Sequence, residues 1–168
     1  MNDANRDWIV IEHKDKLKGK ILEIGSLIVQ GQEEISMRKA IQTLGYDFTG
    51  IDMRNGNGVD VVDDAMTPVF AYNTFDTIIC LDTLEHVNWP RDLVRESYNI
   101  IKPGGYFFLA TVMEFPIHDY PSDYWRFTPA CLKMLLDDAG FEIIEVEGCG
   151  RQDFPNVVRA IGRKDINA

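Results

Sequence analysis

Lys20-Ile-Leu-Glu-Ile-Gly-Ser26, followed downstream by Thr49-Gly-Ile-Asp52, decides the fold of this 168-residue chain. The first stretch is an apolar run that closes in an acid, a glycine and a serine, and it reads as a buried parallel strand opening into a turn. The second delivers Asp52 at its own carboxyl end. In doubly wound sheets a ligand sits outside the carboxyl ends of the strands, and an acid at the tip of the second strand accepts hydrogen bonds from ribose hydroxyls. The two stretches together predict half of a nucleoside-binding crevice.

Working outward, residues 1–18 form a polar lead with one apolar cluster, Trp8-Ile-Val-Ile11, whose local pattern fits a short helix or an extended segment equally. Glu33 to Leu44 reads as a helix: acids in the first turn, Glu34 four residues before Arg38, and Gly45 as terminator, with Ile35, Ile41 and Leu44 on the apolar side. Tyr46 to Met53 is the second strand. The turn cluster Arg54-Asn-Gly-Asn-Gly58 leads to a third, Val59 to Val62. That link is short for a parallel crossover, so either its helix is missing or the third strand is misread.

Phe75 to Leu81 is the next buried strand, and Pro90 to Ile101 a helix with proline near its first turn. Lys102-Pro-Gly-Gly105 ends that helix, Tyr106 to Thr111 is another strand, and Thr128-Pro129 opens a helix that runs to Gly140. Phe141 to Val146 and Val157 to Gly162 close the chain as strands. The alternation predicts one α/β domain over residues 1–168 with a mostly parallel sheet.

Composition narrows the function. The net charge of -10 and the scattered basic residues argue against a nucleic-acid partner and for a small or uncharged substrate. No apolar run is long enough for a bilayer, and charges stand where a signal peptide would be apolar, so no membrane association is expected and the expected compartment is the cytoplasm. Cys80, Cys131 and Cys149 lack paired spacing for zinc or a disulfide framework and read as core thiols, Cys149 on a loop between two glycines. Asp60 and Asp63 read as solvent-facing flanks of a strand, and no metal site is expected.

The order of elements and five local strings resemble the class I S-adenosylmethionine-dependent methyltransferases. The strings are Ile21-Leu-Glu-Ile-Gly-Ser26, Gly50-Ile-Asp52, Asp64-Ala65, Phe75-Asp-Thr-Ile-Ile-Cys-Leu-Asp-Thr-Leu-Glu-His-Val87 and Ile101-Lys-Pro-Gly-Gly-Tyr106. The resemblance implies a Rossmann-like, seven-stranded sheet of order 3-2-1-4-5-7-6, strand 7 antiparallel, with helices on both faces. It implies S-adenosylmethionine as donor, S-adenosylhomocysteine as product and no metal. Carried over by position, Glu23 and Gly25, with Ser26 beside them, resemble the donor loop. Asp52, followed by Met53, resembles the ribose acid; Asp64 and Ala65 resemble the adenine contacts; Leu81 and Asp82 resemble the floor under the methionine part. One departure stands out: Leu27 occupies the place of the second glycine. Either the loop takes another path, with Gly31 as its permissive turn, or donor binding is weakened; Leu27 to Val29 themselves read as buried packing against the following helix.

The acceptor side is carried by Phe115-Pro-Ile-His-Asp-Tyr-Pro-Ser-Asp-Tyr-Trp-Arg-Phe-Thr-Pro129, which also resembles a subgroup of these methyltransferases acting on saccharides or small metabolites. A hydroxyl acceptor must lose its proton, and His118 is the first candidate base, with Asp119 to orient it and His86 second. His13 reads as surface. Tyr120, Tyr124, Trp125 and Arg126 are expected either to wall the acceptor site or to form a packed lid, with Arg126 paired to Asp123 or Asp119. Two rivals remain: an inactive methyltransferase-like partner module, and an NAD-binding oxidoreductase, which the missing Gly-x-Gly-x-x-Gly disfavours. Nothing in the pattern bears on oligomeric state.

Overall fold

The apolar runs become seven strands in a computed structural model that describes residues 3–118 and 122–168. They are β1 (Lys20–Ile24), β2 (Asp47–Asp52), β3 (Val61–Val62), β4 (Phe75–Leu81), β5 (Ile101–Val112), β6 (Glu142–Arg151) and β7 (Phe154–Arg163). They form one sheet of order β3-β2-β1-β4-β5-β7-β6, in which β7 runs antiparallel to both its neighbours and all other pairings are parallel. The expected order is therefore the observed one. Helices α1 (Asp3–Asp7), α2 (Met37–Thr43), α3 (Pro90–Ile100) and α4 (Pro129–Ala139) accompany it.

Both faces of the sheet are covered, which explains why the strands are continuously apolar instead of alternating. Leu22, Ile78, Phe107, Leu109 and Ala160 join one core with Leu93 and Val94 of α3 and Leu132 and Leu136 of α4. Their chain neighbours Ile21, Ile79, Phe108, Ala110 and Ile161 point the other way, into a second core with Met37 and Ile41 of α2. That second core also contains Trp8 and Ile9, so the N-terminal lead is helical and integral to the domain. Trp8 stacks edge-on against Phe108, with centroids 5.7 Å apart, and its indole N–H donates to Glu145. His13, expected at the surface, is tucked beside Trp8 and bonds the same carboxylate, because the lead folds back over the sheet.

Several boundaries differ from expectation, each through a contact distant in sequence or a side-chain cap. The helix expected from Glu33 to Leu44 breaks at Ser36, whose extended backbone (φ -61°, ψ 144°) and side-chain oxygen cap α2 by accepting from the Lys39 N–H. Glu34 consequently reaches Lys39, while Arg38 turns to Asp60. The crossover from β2 to β3 has no helix: the Asp60 carboxylate pins it by accepting from the Gly50 N–H at 2.8 Å and pairing with Arg38. Asp60 therefore braces the fold instead of idly facing solvent, and Asp63 likewise accepts from Val69 N–H. Lys102 to Gly105 belong to β5, with a register irregularity against β4. Cys149 lies within β6, not on a loop, and burial pushes its thiol up to about 11. Among the described residues no helix is long and apolar enough to cross a membrane.

Candidate active site

The carboxyl ends of β1, β2, β3 and β4 share one edge of the sheet, and the residues expected to hold a donor are brought to it. Glu23 sits between Gly50 and Ile79 on the adjacent strands, and burial pushes its carboxyl up to about 8 against the pull of the Arg38 charge. Gly25 follows at φ +78°; a Cβ there would lie 2.0 Å from Thr83 Oγ1, so only glycine fits where the two strand exits touch. Ser26 is buried with its hydroxyl oxygen unpartnered. Asp82 holds a left-handed backbone (φ 47°), unusual for a residue with a side chain, and its carboxylate accepts from the Asn5 amide at 3.1 Å. Asn5 is fully buried and also accepts from Arg159, so the lead braces the β4 exit. Leu81 faces the second core. Asp64 turns its carboxylate onto the Met66 N–H, Ala65 packs against the first core, and Met53 is exposed.

Asp52 is nearly buried, and its carboxylate is engaged by its own surroundings. It accepts from the Arg54 backbone N–H at 2.9 Å, from Arg54 Nε at 3.0 Å, and from the Leu27 N–H at 3.4 Å. The loop after β1 lies across the loop after β2: Ile28 N–H donates to Asn57 O at 2.8 Å, and Leu27 Cδ1 occupies the space where a Cβ on Gly56 would be. Leu27 to Val29 thus form a loop with Val29 exposed, not an extension of the buried segment, and Gly31 supplies a positive-φ turn (+88°). A ribose reaching Asp52 must share it with, or displace, the Arg54 guanidinium. Among the described residues, Asp52 lines neither the cavity of about 630 Å³ nor that of about 430 Å³.

The larger of these cavities lies at the loop expected to face the acceptor, walled by Met113, Phe115, Tyr124, Trp125, Arg126 and Phe154. The loop that builds it is tied to the β4 exit by main chain: Tyr124 and Trp125 N–H groups donate to Glu85 O, and the Trp125 indole donates to Val87 O. Arg126 forks onto both oxygens of Asp123 and also donates to the Phe115 and Pro116 carbonyls, which is the expected lock. That hydrogen-bonded guanidinium holds the Asp123 carboxyl well below the usual carboxylate range. Asp119 and Tyr120 lie outside the described residues.

His118 and His86, far apart in sequence, meet edge to face with ring centroids 4.8 Å apart. Among the described residues the carboxylate that orients His118 is Asp123, which accepts from its backbone N–H at 2.9 Å and lies 3.2 Å from its Nδ1. Both imidazoles face Glu85, which is wholly buried and whose carboxyl is pushed up by that burial, opposed by its own backbone N–H and then by the hydrogen bond from Thr111. Glu85 was not singled out from the sequence. An acid beside a histidine at a strand exit was the available signal, but its burial depends on the loop that covers it.

Residues 5–146 match the family described as a methyltransferase domain. A ubiquinone biosynthesis O-methyltransferase from Pseudomonas putida is 45% identical over 132 residues, covering 69% of this chain and 53% of that protein. The chain spans about half the length of the curated relatives it matches. A SAM-dependent methyltransferase from Methanosarcina mazei superposes with a TM-score of 0.67 over 93% of this chain and 98% of that one, at 16% identity. A Burkholderia thailandensis 1,6-didemethyltoxoflavin-N1-methyltransferase, with S-adenosylhomocysteine bound, gives 0.72 over 97% and 78% at 14% identity. At such identities the two structures speak for a shared fold.

Proposed function

The chain belongs to the methyltransferase domain family, and from that premise we propose that it transfers a methyl group from S-adenosylmethionine to a hydroxyl of a small, ring-bearing acceptor. One observation carries the reading: the paired imidazoles of His86 and His118 lie together beyond the end of β4, with His118 against Phe115 of the aromatic-walled cavity. Oxygen as the accepting atom is favoured because relatives bear the name O-methyltransferase. The aromatic wall suits a flat acceptor body, sugar or phenol, by stacking.

The reaction is an in-line displacement. The acceptor oxygen forms a bond to the methyl carbon, the carbon–sulfur bond breaks with its electron pair going to sulfur, and the hydroxyl proton passes to the imidazole pair. Charge is dispersed as the sulfonium becomes a thioether, so alignment and exclusion of water supply much of the acceleration. Glu23, Gly25 and Ser26 would meet the methionine part with Leu81 and Asp82 beneath it, Asp52 and Met53 the ribose, and Asp64 and Ala65 the adenine. Tyr124, Trp125 and Arg126 would bound the acceptor, Arg126 by holding the wall in shape. No nucleic acid or membrane enters this reading.

A second reading, a partner module that no longer binds the donor, is favoured by the Arg54 guanidinium on Asp52 and the Leu27 loop above it. Thermal unfolding with added S-adenosylmethionine separates the two, because a ligand at about 100 times its dissociation constant adds roughly 2.7 kcal/mol of stability. Stabilisation is expected with the methyl donor and none with NAD. A flat response to the methyl donor removes the enzyme reading.

A further inference from the structure

We propose that Glu85, His86 and His118 form a binding site for one divalent transition-metal ion of the zinc type. Glu85 Oε1 lies 3.9 Å from His86 Nε2 and 3.9 Å from His118 Nε2, and the three atoms all fall within 4.8 Å of one another. Glu85 is completely buried. Its Oε2 accepts from the Thr111 hydroxyl at 2.7 Å, while Oε1 has no hydrogen-bond partner. A buried carboxylate oxygen left in this way is costly unless something positive meets it.

The proton positions sharpen the point. His86 Nδ1 is 2.8 Å from the Ser122 carbonyl oxygen, and His118 Nδ1 is 3.2 Å from the Pro116 carbonyl oxygen and 3.2 Å from an Asp123 oxygen. Only an N–H makes these contacts favourable, so Nδ1 of each ring carries a proton, which leaves Nε2 as the atom whose lone pair can face inward. Three lone-pair atoms then converge on one point. A proton on Glu85 does not resolve this, because 3.9 Å exceeds hydrogen-bond reach to either ring. A cation does. Imidazoles whose outer nitrogen donates to a carbonyl or carboxylate are the usual form of a metal-ligating histidine.

Ligand atoms around a tetrahedral zinc at about 2.1 Å stand roughly 3.4 Å apart, so closure from the observed spacing needs shifts of about half an ångström. Two nitrogens and one oxygen select zinc, iron, cobalt, nickel or manganese over magnesium or calcium, which prefer all-oxygen shells. Three protein ligands leave a fourth position open; with the ion bound both Nε2 lone pairs are taken, so the metal-loaded form replaces the imidazole base of the proposed reaction and does not add to it. The sequence hid the site because two ligands come from the β4 exit and the third from the loop after β5.

The site is tested on the full chain, stripped with a chelator and dialysed against zinc chloride alone, with no donor or acceptor present, followed by metal analysis and chelator competition. One equivalent per chain is expected, with affinity about 100-fold weaker in His118→Ala and in Glu85→Gln, and unchanged in His13→Ala and Cys149→Ser. Circular dichroism checks that the variants fold; the isosteric Glu85→Gln keeps the test alive if the loop variant does not. Cobalt(II) should give visible bands of a low-symmetry site in the wild type and lose them in His118→Ala. Substoichiometric zinc, affinity equal to wild type in both site variants, or an equal loss in His13→Ala overturns the proposal. None of these measurements involves methyl transfer, so failure of the metal site and failure of the methyltransferase reading are told apart.

Discussion

The two ends of the site, proposed to hold the donor and the acceptor, are built by opposite means. At the donor end, acids stand at the tips of short strands, and their own surroundings satisfy them: Asp52 takes two main-chain N–H groups and the Arg54 Nε, and Asp64 one main-chain N–H. At the acceptor end, a long aromatic loop is strapped onto the β4 exit and leaves Glu85 Oε1 and two imidazole nitrogens facing each other. The first arrangement is closed around its own polar groups and must open for a ligand, while the second is held open by its scaffold. Buried carboxylates are either paired internally or waiting for a partner, and Asp52 and Glu85 divide along that line, although the donor loop keeps the unpartnered Ser26 hydroxyl.

Breaking the acceptor end should have the largest effect. His118→Ala is expected to lower turnover of a hydroxyl acceptor about 10²- to 10⁴-fold while leaving donor affinity unchanged, measured by steady-state kinetics beside calorimetric titration of S-adenosylmethionine. Normal turnover would reduce His118 to a brace for its loop. Breaking the donor end comes next: Asp52→Ala should weaken donor binding about 100-fold, the worth of two charge-assisted hydrogen bonds. The same change releases the Leu27 and Arg54 N–H groups, so Tm should also fall, by about 2–4 °C for a loss of about 1 kcal/mol. Unchanged donor affinity would refute the ribose assignment.

A pH series sharpens the contrast further. Burial raises the Glu23 carboxyl to about 8 in the folded chain from an ordinary value of 4.5. The folded state therefore keeps a proton that the unfolded chain has lost, and this contribution is full below pH 4.5 and fades as pH rises through about 8. Stability should decline across that window by at most on the order of 5 kcal/mol, and Glu23→Gln should flatten the decline in denaturant melts at several pH values. A slope that survives the substitution would place its origin elsewhere. The smallest effect is expected from Arg54→Ala, which uncovers Asp52: donor affinity should rise about twofold, in proportion to a surface-type ion pair of a few tenths of a kcal/mol. A fall in affinity would make Arg54 itself a donor contact.

The strand tips were legible because strands of a parallel sheet covered on both faces must be apolar throughout, and Ile21 to Ile24 and Phe75 to Leu81 announce themselves that way. α4 was legible from its chemistry, with Thr128 capping the Cys131 N–H and Pro129 at the first turn. The break at Ser36 was less so, since a single serine in a helical pattern is as often an interior residue as a cap. The missing crossover helix between β2 and β3 depends on Asp60 bridging to Gly50 and Arg38, contacts that no local window contains. The lead remained ambiguous for the same reason: Trp8 is helical because it has Phe108 and Glu145 to pack on.

The amino-acid order by itself determined the sheet, its topology through the resemblance, and the presence of acids at the strand exits, because apolar runs and turn residues act over a few neighbours. Tertiary structure alone decided that Asp52 is held by Arg54, that Asp123 orients His118, and that Glu85 faces two imidazoles with an oxygen to spare. These are orientations of side chains from different elements, and only the packing of those elements sets them.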